Sequence, residues 1–236
     1  MPSPIKSNKQ SKFSPELIMI DLDGTLVDSI PDISWCLDET MKQIGLPARG
    51  ETAARNWIGN GVIRIVQRAI ANDLNADHDE ALFETAMPIF RAFYADNTSK
   101  RSVLYPGVRE GLDYLQKLKR ERGLKIGCIT NKDERFTLPI LRDLGLIDDF
   151  EIVISGDNLA KKKPDPLPLL YGAKELGCAP QKSLMMGDST TDVKAARAAG
   201  FNIICMSYGY NHGDDIRDSQ PDIVIDSMLE LKDLIH

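Results

Sequence analysis

Short apolar runs recur along the chain, and amphipathic stretches with helical spacing separate them. The runs are almost continuously hydrophobic, as strands must be when helices cover both faces of their sheet. Strand–helix alternation of this kind predicts an open, mostly parallel α/β sheet. We predict strands at residues 17–22, 124–130, 150–155, 183–187, 201–206 and 222–225.

One long stretch, residues 29–102, breaks the alternation and shows only helical periodicity. Three apolar stripes predict helices there, starting near Pro31, Val62 and Leu82, with a kink at Pro88 in the third. A helical block directly after the first strand is typical of a domain inserted into an α/β core. We therefore predict a polar, mobile leader at 1–15, an α/β core at 16–28 and 103–236, and a helical insert at 29–102.

Composition excludes several classes of protein. Of 236 residues, 42% are hydrophobic and 27% are charged, which is ordinary for a globular protein and unlike a disordered or fibrous one. The net charge of −6 predicts no nucleic-acid partner, because that binding depends on clustered positive charge. Four cysteines without a CxxC pair, no secretory signal and no apolar run near the roughly 20 residues of a membrane span predict a cytoplasmic protein with no membrane partner.

Polar side chains follow four of the predicted strands. In open α/β sheets, ligands bind beyond the carboxyl ends of the strands, so these side chains are expected to meet at one edge. The set contains carboxylates, one hydroxyl and one ammonium group. In chain order its members are Asp21, Asp23, Thr130, Asn131, Lys163, Asp188 and Asp192.

The chemistry of this set indicates phosphoryl transfer. Clustered carboxylates repel one another unless a cation joins them, and an all-oxygen site suits Mg²⁺. Lys163 and Thr130 supply the positive charge and the donor that a phosphoryl group of a small metabolite needs. Taken singly, Asp188 and Asp192 could cap a helix, and Thr130 with Asn131 could form a turn. Their occurrence in order, each after a strand, favours the site.

These residues belong to motifs that resemble those of the haloacid dehalogenase-like hydrolase superfamily. The resemblance covers residue 16 to the C-terminus, and it implies a Rossmann-like, doubly wound core with an inserted α-helical cap. Within the superfamily, segments 57–70 and 208–216 are similar to the bacterial phosphoglycolate phosphatases, which implies hydrolysis of 2-phosphoglycolate. The four motifs are DLDGT (21–25), Thr130-Asn131, Lys163-Pro164 and GDSTTD (187–192).

The resemblance also implies roles for the carboxylates. Asp21 is the implied nucleophile that forms an aspartyl-phosphate, and Asp23 is the implied general acid and base. Mg²⁺ is implied to bind the Asp21 carboxylate, the Asp23 backbone carbonyl and the Asp188 carboxylate. Asp192 is the implied outer partner of the metal site.

Phosphate binding is implied for Thr130, the Asn131 amide and Lys163. One departure from the motif pattern is Asp165, which lies close to Lys163 in the sequence. A pair between Asp165 and Lys163 would weaken phosphate binding, and we expect Asp165 to face outward instead.

The insert is expected to recognise the leaving group. A basic or amide donor suits the carboxylate of glycolate, which makes Asn60 and Arg64 the candidate substrate ligands. The alternative is that Gly59 and Gly61 only break a helix while Arg64 faces solvent.

Other functions remain open at this point. Related capped enzymes act on pyrophosphate, nucleotides or sugar phosphates, or transfer phosphate within a sugar as β-phosphoglucomutase does. A catalytically silent binding module is disfavoured because every implied catalytic residue is present. The sequence does not distinguish a monomer from a homodimer.

Overall fold

The computed structural model describes residues 13–59, 61–75 and 77–236. In chain order, its strands are β1 Leu17–Ile20, β2 Val27–Asp28, β3 Val103–Leu104, β4 Lys125–Ile129, β5 Ile152–Ile154, β6 Ser183–Gly187, β7 Asn202–Met206 and β8 Ile223–Ile225. The α-helices of the described residues are α1 Ile30–Gln43, α2 Glu51–Trp57, α3 Val62–Ala71, α4 Glu80–Ala95, α5 Val108–Arg122, α6 Glu134–Asp143, α7 Leu167–Glu175, α8 Thr190–Ala199 and α9 Leu231–Leu234.

The main sheet has six strands in the order β5-β4-β1-β6-β7-β8, and each pairing is parallel. All six predicted strands are present, and the doubly wound α/β fold with a helical insertion is confirmed. In β1, Ile18 and Ile20 pack against the face that carries α5 and α9. Leu17 and Met19 pack on the opposite face with α7 and α8. Because both faces are covered, all four side chains are fully buried, which explains the continuous apolar run.

Register brings the ends of three central strands together. Ile20 at the end of β1 pairs with Cys128 of β4 and with Met186 of β6. The loops that follow β1, β4 and β6 therefore leave the same edge of the sheet side by side. This alignment gathers residues that are up to 170 positions apart in the chain.

A second, two-stranded sheet joins β2 and β3 in antiparallel pairing. Val27 pairs with Leu104 and Asp28 with Val103, where the chain leaves the core for the helical block and returns from it. The hydrophobic pattern does not reveal these strands, because two residues are too few to show a period of two.

The helical block consists of α1 to α4, which enclose an apolar core of their own. The three predicted helices are present, and α4 runs through Pro88. Helix α2 was missed by the sequence analysis. Only Ala54 and Trp57 are buried in α2, so its apolar stripe is too short to recognise.

The leader boundary differs from the expectation. Residues 1–12 lie outside the described residues. Phe13 bridges to Ile235, and its amide donates to the Leu234 carbonyl at 2.7 Å. The Arg122 guanidinium donates to the Pro15 carbonyl at 2.7 Å. Residues 13–15 are thus attached to the core, because Phe13 packs against apolar side chains of the main cluster.

The cysteines are free thiols, as their spacing predicts. Cys36, Cys128 and Cys205 are buried, and Cys178 is partly exposed. Among the described residues, the helices are all too short or too polar to cross a membrane. The cytoplasmic location stays a prediction.

Candidate active site

The predicted site residues meet in one cavity between the sheet edge and the helical block. Its volume is about 50 Å³, and a single water needs about 10–15 Å³, so the cavity suits a small ligand. The wall opposite the carboxylates is apolar and includes Ile33, Val62 and Phe90 from the helical block. The predicted residues that line the cavity are Asp21, Asp23, Thr130, Asn131, Lys163, Asp188 and Asp192.

Lys163 links two of the carboxylates. Its ammonium lies 2.8 Å from Asp21 Oδ1 and 2.7 Å from Asp192 Oδ1, and it also donates to the Ile129 carbonyl at 3.2 Å. The Lys163 side chain is almost completely buried. Burial acts to lower the pKa of Lys163, but Asp192 and Asp21 outweigh it and hold the pKa above its usual value. Lys163 is therefore a permanent cation beside the implied nucleophile.

The carboxylates of the site are hard to ionise without a further cation. Burial is the main cause that raises the pKa of Asp21, to about 7, with Asp192 adding to it and Lys163 opposing it. Burial, then Asp192 and Asp21, raise the pKa of Asp188 well above its usual range. One ammonium is too little to neutralise three carboxylates at close range.

Asp188 is fixed by its neighbours. The Thr25 hydroxyl donates to Asp188 Oδ1 at 2.9 Å, and the Tyr210 amide donates to Oδ2 at 2.5 Å. Two glycines make room for it: a Cβ on Gly24 or Gly209 would lie 2.2 or 2.1 Å from Asp188 atoms. Gly24 also has a φ of +87°, which favours glycine.

Asp192 has both carboxylate oxygens engaged. Its Oδ1 accepts from Lys163, while Oδ2 accepts from the Ser189 hydroxyl at 2.7 Å and from the amides of Asp188 and Ser189. Ser189 and Asp192 form a capping box at the start of α8. Asp192 therefore orients Lys163 and the loop that carries Asp188.

The donor set fits a hard divalent cation such as Mg²⁺. Oxygen atoms of Asp21, Asp188 and Asp192 lie within 4.8 Å of one another. Asp192 accepts four hydrogen bonds, whereas Asp188 accepts two and Asp21 has one ion pair, so Asp21 and Asp188 keep more lone pairs for a metal. The pKa values of Asp21 and Asp188 are raised mainly by burial, and a divalent ion would supply the positive charge that favours their ionised forms.

Asp23 lies at the border between the core and the helical block. Its Oδ1 accepts from the Ser29 hydroxyl at 2.6 Å and lies 3.1 Å from the Lys132 ammonium. Among the described residues, Oδ2 has no hydrogen-bond partner. This oxygen is therefore available to a ligand in the cavity.

Thr130 and Asn131 form a tight loop after β4. The Thr130 hydroxyl accepts from the Lys132 amide at 3.2 Å. The Asn131 side-chain amide donates to the Lys163 carbonyl at 2.9 Å and to the Gly59 carbonyl at 3.3 Å. Asn131 thus ties the loop after β4 to the loop of Lys163 and to the helical block.

Asp165 lies away from the site, as expected. Its carboxylate is 2.9 Å from the Lys161 ammonium and accepts from the Leu167 amide. Lys163 is instead held by Asp21 and Asp192.

Of the two candidate ligands in the insert, the structure describes only Arg64. Asn60 lies outside the described residues. Arg64 is exposed and donates to Gln67 Oε1 at 3.0 Å, and it is not among the residues that line the cavity. Gly59 and Gly61, on either side of residue 60, do line it.

Sequence reasoning missed two residues at the junction, Lys132 and Tyr210. Lys132 lines the cavity beside Asp23. The Tyr210 hydroxyl donates to Asp28 and accepts from the amides of Ser29 and Ile30, where the chain enters α1. Lys132 directly follows Thr130-Asn131, so its place in that loop was the available signal. Tyr210 lies in a segment that was noted only for its resemblance.

Comparison with known proteins supports the resemblance that was inferred from these motifs. A phosphoglycolate phosphatase from Nitrosococcus oceani is 59% identical over 221 residues, which cover 94% of this chain and 96% of that protein. One from Nitrosospira multiformis is 41% identical over 93% of this chain and 95% of its own length. The crystal structure of a predicted phosphoglycolate phosphatase from Haemophilus somnus 129pt has a TM-score of 0.84 and 33% identity, over 92% of this chain and 96% of that one.

The family itself is identified by a sequence profile. The profile of the family described as haloacid dehalogenase-like hydrolase matches residues 18–206, which include most of the first strand, the helical block and all four motifs. The resemblance inferred from the motifs is confirmed. The chain belongs to the haloacid dehalogenase-like hydrolase family.

Proposed function

We propose that the protein is a Mg²⁺-dependent phosphomonoesterase that hydrolyses 2-phosphoglycolate to glycolate and phosphate. One observation carries the proposal: the Asp21 carboxylate is buried at the end of β1, between Lys163 and Asp188, with Asp23 two residues further on. A nucleophile, a cation, a metal-binding carboxylate and a proton donor are thereby gathered around one small cavity.

In the proposed first step, an Asp21 oxygen attacks phosphorus and the bond from phosphorus to the glycolate oxygen breaks. Asp23 donates its proton to that oxygen, so glycolate leaves as an alcohol. The phosphoryl group is then an ester of the Asp21 carboxylate. Lys163 and the loop of Thr130 and Asn131 bind its oxygens and neutralise their charge.

In the second step, Asp23 removes a proton from water, and the water oxygen attacks the same phosphorus. The bond between phosphorus and the Asp21 oxygen breaks, which releases phosphate and restores the carboxylate. Bound Mg²⁺ would supply positive charge to the phosphoryl oxygens, held by Asp21, the Asp23 carbonyl and Asp188.

The choice of 2-phosphoglycolate has two supports. Relatives that share 59% and 41% identity over nearly their whole length carry the name phosphoglycolate phosphatase. The cavity is also small and is bordered by apolar side chains of the insert, which favours a short leaving group over a nucleoside. We propose that the insert, residues 29–102, acts as the cap that excludes water over a core of 16–28 and 103–236.

The test is phosphate release from 2-phosphoglycolate, pyrophosphate, a nucleoside monophosphate and glucose 1-phosphate, with Mg²⁺ and with chelator. We expect metal-dependent release that favours 2-phosphoglycolate by at least about tenfold in kcat/KM. Preference for another of these compounds would overturn the substrate. Interconversion of sugar phosphates without net release would indicate a phosphotransferase instead.

A further inference from the structure

Lys132 is a second buried cation in the cavity, and the proposed chemistry leaves it without a role. It is 4% exposed and lines the cavity. Its backbone is held firmly: the amide donates to Thr130 Oγ1, and the carbonyl accepts from the Gly156 amide at 2.8 Å and from the Thr137 hydroxyl at 3.2 Å. A long, flexible side chain is thereby anchored on a fixed base.

The ammonium of Lys132 has two partners. It lies 3.1 Å from Asp23 Oδ1, and it donates to the Tyr94 hydroxyl on α4 of the insert. An ammonium carries three donors, and among the described residues the third has no partner. Since a buried cation is costly unless its donors are satisfied, an anion in the cavity would complete this site.

The position of Lys132 relative to Asp23 defines which part of a substrate it can reach. To protonate the leaving group, Asp23 must contact the ester oxygen between phosphorus and carbon. In 2-phosphoglycolate the carboxylate carbon is two bonds beyond that oxygen. A cation next to Asp23 is therefore close to where this carboxylate must lie.

Among the described residues that line the cavity, Lys132 and Lys163 are the cationic side chains. The insert contributes apolar side chains such as Ile33, Val62 and Phe90, and Arg64 pairs with Gln67 away from the cavity. Lys163 is already engaged by Asp21 and Asp192 on the phosphoryl side.

We propose that Lys132 binds the carboxylate of the leaving group and so selects phosphate esters that carry a carboxylate next to the ester oxygen. This inference rests on the proposed function and adds the residue that determines specificity. It moves recognition of the leaving group from the candidate ligand Arg64 in the insert to the loop after β4.

The experiment compares 2-phosphoglycolate with ethyl phosphate, which has the same ester carbon without the carboxylate. In Lys132→Met, the ratio of kcat/KM for 2-phosphoglycolate to that for ethyl phosphate should fall about 10- to 100-fold, the range of one charge-assisted hydrogen bond. The fall should be expressed mainly as a higher KM for 2-phosphoglycolate. The rate on either substrate alone does not matter, because the ratio cancels effects that Lys132 exerts through Asp23.

Two other variants complete the design. Lys132→Gln keeps a hydrogen-bond donor on a side chain one atom shorter and removes the charge, and it should show the same fall if Lys132→Met does not fold. Lys161→Met removes an exposed lysine whose partner is Asp165, and it should leave the ratio unchanged. Circular dichroism establishes that each variant is folded.

Several outcomes would overturn the proposal. Equal losses on both substrates would show that Lys132 serves every ester through Asp23. A fall of the ratio in Arg64→Met but not in the Lys132 variants would assign the carboxylate to the insert. A wild-type enzyme that does not favour 2-phosphoglycolate over ethyl phosphate would remove the proposed function as well, whereas an unchanged ratio in the Lys132 variants would remove only this inference.

Discussion

Single residues at this site combine a proposed catalytic role with a cost to stability. Asp21 is buried beside Asp192 and Asp188, and its pKa is raised to about 7 mainly by burial. A raised pKa means that the charged carboxylate is less stable in the folded protein than in water. The proposed nucleophile is thus held in an unfavourable environment, which a bound cation would relieve.

Replacing the nucleophile tests this view directly. Asp21→Asn should lower phosphatase activity by at least about 10³-fold, because an amide cannot form the phosphoenzyme. At pH 8 without metal it should raise the free energy of unfolding, on the order of 1–3 kcal/mol, since the buried charge is gone. Activity assays and urea unfolding measure the two effects.

Asp165→Asn is the matched control for Asp21→Asn, because Asp165 lies outside the cavity and pairs with Lys161. Both its activity and its stability should stay within about twofold and about 0.5 kcal/mol of wild type. Retained turnover in a folded Asp21→Asn protein would exclude the covalent mechanism.

At the scale of elements, the start of α8 joins helix formation to the site. The Ser189 hydroxyl accepts from the Asp192 amide and donates to its carboxylate, whose other oxygen holds Lys163. The residues that begin the helix therefore also aim the cation at Asp21. A weaker N-cap should therefore destabilise the start of α8 and also disturb the position of the Lys163 ammonium.

Ser189→Ala should lower the free energy of unfolding by about 1 kcal/mol, the usual cost of a lost N-cap. It should also lower kcat/KM by about three- to tenfold, because Asp192 loses a bond that orients it. Ser227→Ala removes the capping box before the last helix, far from Lys163. It should be destabilised to a similar degree with unchanged activity, and equal activity in the two variants would contradict the link.

Elements also show what the sequence could predict. The six strands of the main sheet were evident because burial on both faces leaves near-continuous apolar runs, and their carboxyl ends located the candidate site. Strands β2 and β3 and helix α2 were missed, since each is too short to show a period. Lys132 and Tyr210 were missed because their importance depends on contacts with Tyr94, Asp28 and Ser29, which no local pattern encodes.

At the scale of the whole molecule, several contacts hold the helical block over the sheet edge. Arg55 lies 3.3 Å from Asp28 and over the Tyr210 ring, and His212 contacts the Asn56 carbonyl at 2.8 Å. Together with the bond from Asn131 to Gly59, they hold the helical block against the cavity in which the carboxylates lie. The pKa values of Asp21 and Asp188 are raised mainly because both carboxylates are buried in this cavity. Metal binding and global stability should therefore depend on each other.

This dependence predicts how pH and Mg²⁺ act together. The folded-state pKa of Asp21, about 7, exceeds its ordinary value of 3.8, and that of Asp188 is also raised. Between about pH 4 and 7 the folded state keeps protons that the unfolded state releases, so metal-free stability should fall as pH rises. Mg²⁺ would bind the ionised carboxylates, and the ionised form of Asp21 predominates only above about pH 7.

Mg²⁺ should therefore raise the Tm more at pH 8 than at pH 5.5, where it must displace protons from Asp21 and Asp188. Thermal unfolding with saturating Mg²⁺ and with chelator at both pH values measures the difference. In Asp21→Asn the increment should be smaller and should vary less with pH, because one of the two titrating ligands is absent. Equal increments at both pH values in the wild type would mean that Mg²⁺ binds elsewhere, since no exposed carboxylate would resist ionisation at pH 5.5.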